Sequence, residues 1–401
     1  MVHQTMNNRI SSAPSASISN KPMPRAYWLA CVAVSYALGG CVAVSLEKPV
    51  PAPVRAAEPP ASLHPASRWQ AAAWADLPDW GLDRTREAWR AMLRSCERMP
   101  PDVLRSTPAW AALCQEALRL TPADDDAARA WLMQRMNAYR VLPLDAAAPG
   151  EGLATGYFEP QVDASRTPRG ALRVPLYAPP ADLAARKPWY TRAQIDTLPA
   201  AQAALRGREI AYMADPLDAL LLQVQGSGRL RLVGADDRAQ VVRVAFAGHN
   251  DQPYVSLGRW LIDQGEIRPG EASWLAIRDW AKRNPQRVPE LLAANPRVVF
   301  FREEPLPDPN IGPRGGQGVA LTPERTIAVD TRSVPYGSPV WLDTTAPLTA
   351  TPLRRLMLAQ DTGSAITGAV RADVFWGWGE HAEQQAGRMK QALRMWVLWP
   401  K

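Results

Sequence analysis

Cysteine and histidine are both scarce, at four each in 401 residues, and that scarcity removes whole classes of chemistry. His3, His64, His249 and His381 are scattered, and none stands at metal-ligand spacing from another ligand, so neither a metal nor any other cofactor is expected. His249, in Ala247-Gly248-His249-Asn250, reads as a loop residue rather than a base. The Gln225-Gly226-Ser227-Gly228 run lacks both the spacing and the lysine of a phosphate loop. No Lys/Arg cluster, zinc-finger spacing or aromatic-basic motif accompanies the formal charge of +7, which excludes a nucleic-acid partner. Phenylalanine is sparse, at 5 against 16 tryptophans, and 39 prolines outnumber 25 glycines. That balance favours turns and extended segments over an all-helical fold.

What is present begins with an export signal. Residues 1–40 carry no acid, three bases (Arg9, Lys21 and Arg25) and then the apolar stretch Ala26 to Leu38, too short for a membrane span. The stretch ends in Leu38-Gly39-Gly40-Cys41, which resembles a bacterial lipobox. Cleavage there leaves Cys41 as a lipid-modified terminus, an anchor to the membrane without a spanning helix. Val42 supplies no inner-membrane Asp signal, so the expected place is the periplasmic side of the envelope, on the outer membrane. Residues 41–67 are rich in Pro and Ala and read as a semi-rigid tether. Without the three signal-peptide bases the formal charge falls from +7 to +4, a mild excess suited to an anionic cell-wall polymer.

Cys31 leaves with the signal and Cys41 takes the lipid, so Cys96 and Cys114 remain as a disulfide candidate in an oxidising compartment. Each lies on an apolar helical stripe, and Pro100-Pro101 between them breaks the helix so that the two pieces can fold back. The helical period runs from Leu82 to about Tyr139, including a stretch with Leu132, Met136 and Tyr139. After Gly150 the texture changes to short strands around Gly156–Pro160, Ala171–Leu176, Glu209–Met213, Val241–Phe246 and Val298–Phe301. Helices are expected at Ser256–Asp263 and Glu271–Arg283. Beyond a Pro/Gly-dense loop at 305–318, further strands are expected at Arg325–Val329, Pro339–Leu342, Leu353–Gln360 and Ala372–Trp376. A helix from His381 to Leu393 and a strand Met395–Trp399 follow. Short strands with long Pro/Gly connections indicate barrels rather than a parallel α/β sheet.

The run Leu358-Ala359-Gln360-Asp361-Thr362-Gly363-Ser364-Ala365-Ile366 carries the most chemistry. It sets one carboxyl between apolar residues and a Gly-bearing turn, an environment that keeps an acid protonated near neutral pH and able to protonate a leaving oxygen. Leu358, Ile366 and Phe375 are its expected apolar surroundings. Asp330 and Asp373 fall in neighbouring strand-like segments and are candidates to orient Asp361 or to raise its pKa, while Thr362 and Gly363 can steady developing charge. Asp361-Thr362-Gly363-Ser364 also looks like the signature of an aspartic protease, but those enzymes need two aspartates sharing a proton and the motif occurs once.

Read in order, several segments resemble the membrane-bound lytic murein transglycosylase A family. They are Gly156-Tyr157-Phe158-Glu159-Pro160, Gln223 to Gly228, Pro253-Tyr254 with Ser256 and Gly258, Asn295-Pro296-Arg297 before Phe300-Phe301, Leu321-Thr322-Pro323 before Ile327 to Asp330, and the Asp361 and Asp373 segments. The resemblance implies a mainly β fold with helical segments: a double-psi β-barrel domain built from both ends of the chain, an inserted second β-barrel domain, and a glycan groove between them. On this chain that gives a helical part and first barrel strands at 68–160, the insert at 161–305 and the remainder of the barrel at 306–401. It implies cleavage of the β-1,4 bond between N-acetylmuramic acid and N-acetylglucosamine in peptidoglycan, leaving a 1,6-anhydro end, with Asp361 as sole acid and base. Gln225, Ser227, Tyr254, Tyr157, Glu159 and Trp376 are the expected groove contacts. Ser364 stands where glycine is commoner in the family. An expansin-like module that binds glycan without cutting is the non-catalytic alternative, since such modules also use double-psi barrels. Cell-wall protein partners are left open.

Overall fold

Strands alternate with Pro/Gly-rich connections through most of the chain, as the composition dictates. The computed structural model describes residues 59–233, 239–347 and 349–401. The signal peptide, Cys41 and the tether as far as residue 58 lie outside the described residues. In chain order the strands are β1 (Arg68–Ala72), β2 (Met136–Leu142), β3 (Gly152–Glu159), β4 (Gln161–Ser165), β5 (Val174–Tyr177), β6 (Glu209–Met213) and β7 (Ser227–Val233). They continue as β8 (Ala239–His249), β9 (Val299–Glu304), β10 (Thr326–Val329), β11 (Pro339–Thr345), β12 (Pro352–Asp361), β13 (Arg371–Trp378) and β14 (Lys390–Pro400).

One sheet runs β1-β2-β14-β11-β12-β10-β13-β3, and an additional β14–β3 ladder closes six of those strands into a ring. Lys390 to Leu393 pair antiparallel with Thr155 to Gly152 to make the seal. The pairs β10–β12 and β13–β3 are parallel, and the other ladders of this sheet are antiparallel. The barrel is therefore built from both ends of the chain, as the resemblance implies. Its strands are nearly continuous apolar runs because helices cover the outside: all four residues of β10 are buried, as are Leu356 to Gln360 of β12. The helix Arg86–Glu97 packs on β12, and the helix Gly379–Arg388 packs on β3 and β13.

Between β3 and β10 the chain makes a second six-stranded sheet, β5-β6-β4-β7-β8-β9. It curls until β5 and β9 approach one another without a ladder between them. Its concave core holds Val162, Leu176, Met213, Leu222, Leu230, Val244 and Phe301. A separate helical cluster around Leu220, Leu261, Ile277, Trp280 and Leu291 sits beside it. The helices Leu257–Asp263 and Trp274–Arg283 are capped by Ser256 and Ser273, whose hydroxyls accept from the third N–H of each helix.

Three expectations need correction. Met136 and Tyr139 lie in β2, not on a third helix, because pairing with β1 and β14 overrides the helical period. Residues 390–393 are the start of β14 rather than helix, recruited by the ladder that seals the ring. Within 41–67, residues from Pro59 onward are packed rather than tether: Leu63, His64 and Ser67 are buried, and His64 stacks on Trp69 at 4.2 Å. Cys96 and Cys114 form a disulfide joining the helices Arg86–Glu97 and Ala109–Ala117, with Cα atoms 5.2 Å apart.

Candidate active site

Strand register brings the aspartates together. Ala328 of β10 is the partner of Asp361 in β12 on one side and of Asp373 in β13 on the other. The two acids therefore flank one short strand, with backbones ~10 Å apart at two strand spacings. Beyond β13, Asp373 pairs with Thr155 and Phe375 with Tyr157 of β3. A carboxyl at the end of β12 can thus meet a phenol more than two hundred residues earlier in the chain.

Asp361 is half-buried, and its two oxygens are not equivalent. Oδ1 accepts from the backbone N–H of Gly316 at 2.8 Å and of Thr362 at 2.9 Å. Oδ2 accepts from the Tyr157 hydroxyl at 2.7 Å. Burial pushes the carboxyl above its ordinary pKa, while the Tyr157, Gly316 and Thr362 donors pull it back down. Leu358, Ile366 and Phe375 are buried as expected, and the Phe375 ring lies 5.2 Å from that of Tyr157. Tyr157 is itself held protonated, pushed well above the usual phenol range by burial and then by the Asp361 charge.

Asp373 is pushed up to about 6, chiefly by burial and further by the Asp361 charge, against the pull of Thr155 and Arg371. The Thr155 hydroxyl donates to Asp373 Oδ1 and itself accepts from Arg371 Nη2 at 2.8 Å. Asp330 does not meet Asp361. It accepts from the Arg332 guanidinium at 2.8 and 3.0 Å and from the Gly368 N–H at 3.0 Å, so it ties two loops together, and the Arg332 bond holds it below the carboxylate range. The next residue up β10 does reach the turn, for Thr362 Oγ1 donates to the Val329 carbonyl at 2.8 Å.

Two expected groove contacts are relocated. Glu159 is completely buried and accepts from Arg229 Nε at 2.7 Å and Arg243 Nε at 2.5 Å, so both its oxygens are committed where β3 enters the insert. Trp376 is packed away behind Gly156, where a Cβ would come within 2.7 Å of the indole nitrogen. Gln225 and Tyr254 line a cavity of about 180 Å³ together with Phe158, Ser256, Trp274 and Asn295. Ser227 opens β7 opposite Ala245 and is not part of that lining.

Sequence reasoning missed Gly316, because it lies in a loop whose glycines read only as a connection. Its backbone must approach closely: a Cβ there would lie 2.2 Å from the Tyr336 hydroxyl. It also missed Arg297 as a neighbour of the turn, where Nη1 donates to Ser364 Oγ at 3.3 Å. Among the described residues, no group of three His, Cys, Asp or Glu side chains is placed to hold a metal ion.

Comparison with known proteins bears on this geometry. Residues 153–302 match the MltA specific insert domain, and residues 325–399 match the 3D domain. The chain is 33% identical over 257 residues to membrane-bound lytic murein transglycosylase A of Vibrio cholerae, an alignment that spans 62% of this chain and 66% of that protein, just under two thirds of its length. It is similar in structure to the lytic transglycosylase LtgG of Burkholderia pseudomallei, with a TM-score of 0.58 and 44% identity over 84% of this chain and 96% of that one. It is also similar to E. coli MltA with bound chitohexaose, with a TM-score of 0.61 and 27% identity over 78% of this chain and 89% of that one. One domain match takes in nearly all of β3 and the insert, and the other runs from the start of β10 almost to the end of β14. The likeness therefore extends along the whole ring that carries Asp361, and the chain belongs to the membrane-bound lytic murein transglycosylase A family.

Proposed function

We propose that the protein is a peptidoglycan lytic transglycosylase that opens the β-1,4 bond between N-acetylmuramic acid and N-acetylglucosamine with Asp361 as its acid and base. The observation that carries the reading is the asymmetry of that carboxyl. With two N–H donors on Oδ1, the proton of the neutral acid has its place on Oδ2. Oδ2–H gives its proton to the glycosidic oxygen as that oxygen leaves C1. The C6 hydroxyl of the same sugar then bonds to C1, and its proton returns to Oδ2. The acid is regenerated, the product ends in a 1,6-anhydro ring, and no water is consumed. A hydrolase of the usual kind needs a second carboxylate to activate water or act as nucleophile. Asp361 instead bonds to a phenol and two amides, and Asp373, across β10 from it, is engaged by Thr155. The same partners argue against an aspartic protease, whose two carboxyls share a proton.

The relatives carry lytic transglycosylase names, and one of them was solved with a chitin hexamer, which supports a glycan in the cavity that Gln225 and Tyr254 line. The test is digestion of purified sacculi in H₂¹⁸O with mass spectrometry of the fragments. Anhydro ends without ¹⁸O are expected. Reducing ends carrying ¹⁸O would make the protein a hydrolase, and intact sacculi with bound protein would favour the non-catalytic glycan-binding reading.

The envelope location follows from the sequence around Cys41 together with the membrane-bound relatives. No helix among the described residues is long and apolar enough to cross a membrane. Acylation of Cys41 supplies the anchor, on the outer membrane. Palmitate labelling that survives Cys41→Ser would contradict this.

A further inference from the structure

Asp361 and the amide that donates to it each sit beside a buried glutamine, and those two glutamines meet. Gln360 immediately precedes the acid and is fully buried; Gln317 immediately follows Gly316 and is 8% exposed. Gln360 Nε2 donates to Ser95 Oγ at 2.8 Å and to the Ala91 carbonyl at 2.7 Å, and its Oε1 accepts from Thr326 Oγ1 at 2.6 Å. Ser95 Oγ donates onward to Gln317 Oε1 at 3.2 Å, and Gln317 Nε2 donates to the Ser95 and Arg98 carbonyls, both at 3.2 Å. A backbone bond from Gln317 N–H to the Gln360 carbonyl at 3.0 Å closes the circuit. Every polar atom of both amides is thus satisfied, and a fully satisfied buried network holds one geometry.

We propose that Ser95, Gln317 and Gln360 are positioning residues that lock the Gly316 N–H onto Oδ1 of Asp361, so that the helix Arg86–Glu97 dictates which carboxyl oxygen carries the proton. The inference rests on the acid role proposed for Asp361. The carboxylate turn follows β12, whereas Gly316 belongs to a loop tied to that strand by the Gln317 N–H bond to the Gln360 carbonyl, and the side-chain brace on Gln317 and Gln360 holds the two ends of that bond, and so the Gly316 amide, in register. The brace is a separate element, and the Cys96–Cys114 disulfide fastens its C-terminal end next to Ser95. A donor kept on Oδ1 has two effects: it stabilises the carboxylate, and it directs protonation to the oxygen that Tyr157 faces. Removing the brace weakens a bond that favours the charged form, so Asp361 keeps its proton to higher pH.

The experiment is a ¹³C NMR titration of the Asp361 carboxyl in the full protein, comparing wild type with Ser95→Ala and Gln317→Ala, with pH-rate profiles for anhydro-end release from the same samples. Both variants are expected to raise the Asp361 midpoint by about half a unit to one unit. They are expected to move the high-pH limb of the rate by the same amount and to lower kcat about ten-fold with KM little changed. Ser95→Thr, which keeps the hydroxyl, should restore the wild-type midpoint. If Ser95→Ala and Gln317→Ala lower Tm yet leave the Asp361 midpoint where it was, the residues are merely structural and the proposal is wrong. Because the titration needs no turnover, a wild type that made no anhydro ends would remove the activity reading while the midpoint shift still decided this one.

Discussion

Two carboxylates reached from the same strand show opposite solutions to burying an acid. Glu159, at the end of β3, meets two arginines, Arg229 and Arg243, which are themselves tied to the Pro309 and Ile311 carbonyls. Asp361, met by Tyr157 two residues earlier on β3, has only neutral donors. With an arginine on each oxygen, the Glu159 carboxylate is committed to ion pairs and becomes structural, joining barrel to insert. With amides and a phenol in place of cations, the charged form is hydrogen-bonded but not neutralised, so burial still raises the pKa and the group can give and take a proton. Reach from β3 is shared by both sites; the presence of cations decides which one can do chemistry.

Five measurements test that contrast. The largest effect is expected from Asp361→Asn, which keeps shape and removes the proton: anhydro-end release from sacculi should fall by about 10³-fold or more, with pull-down by sacculi retained. Glu159→Gln should leave activity per folded molecule largely intact but leave two buried guanidinium groups undercompensated, costing about 3–5 kcal/mol in urea unfolding. Replacing Cys96 and Cys114 together with serine opens a link of sequence separation 18 and should cost about 3 kcal/mol by the same assay. Tyr157→Phe removes the donor on Oδ2 and should lower kcat about ten-fold while shifting the high-pH limb upward, because the carboxylate loses a bond that favours it. The smallest effect on activity is expected from Asp373→Asn. The Asp373 pKa is about 6 in the folded protein, above its ordinary value, so the folded state binds the extra proton and Asp373 lowers stability progressively as pH rises from 4 through 6. Asn removes that cost: the variant should be more stable than wild type by up to about 3 kcal/mol at pH 7 and indistinguishable below pH 4, read as Tm against pH.

Legibility in the sequence followed the range of the interactions. Asp361 stood out because the apolar residues Leu358 and Ile366 and the Gly363 turn are its chain neighbours, although its partners Tyr157 and Gly316 are not, and the disulfide because a double proline returns one helix onto the next. Most strands of the insert and ring, though not β4 and β7 of the insert, were readable from their β-branched and aromatic runs. Their pairing was not, and pairing is what makes β2 and the first residues of β14 strands rather than helices. Glu159 and Tyr157 sit in one short motif, yet nothing local says that one faces two arginines and the other the acid. Only the register of β3 against β13 and the entry into β4 separates them. Trp376 was open to misreading for the same reason, since Gly156 admits its indole from a strand more than two hundred residues away. Gln317 and Gln360 gave no signal, because a polar residue beside a glycine or an aspartate reads as surface until a helix from elsewhere covers it.

The ladder between β3 and β14 has a consequence for biosynthesis. Those strands are separated by the entire insert, so synthesis delivers β12 and its aspartate before residues 390–400 exist to seal the wall around it. A partial chain that stops short of β14 therefore cannot close the ring that holds Asp361 against Tyr157.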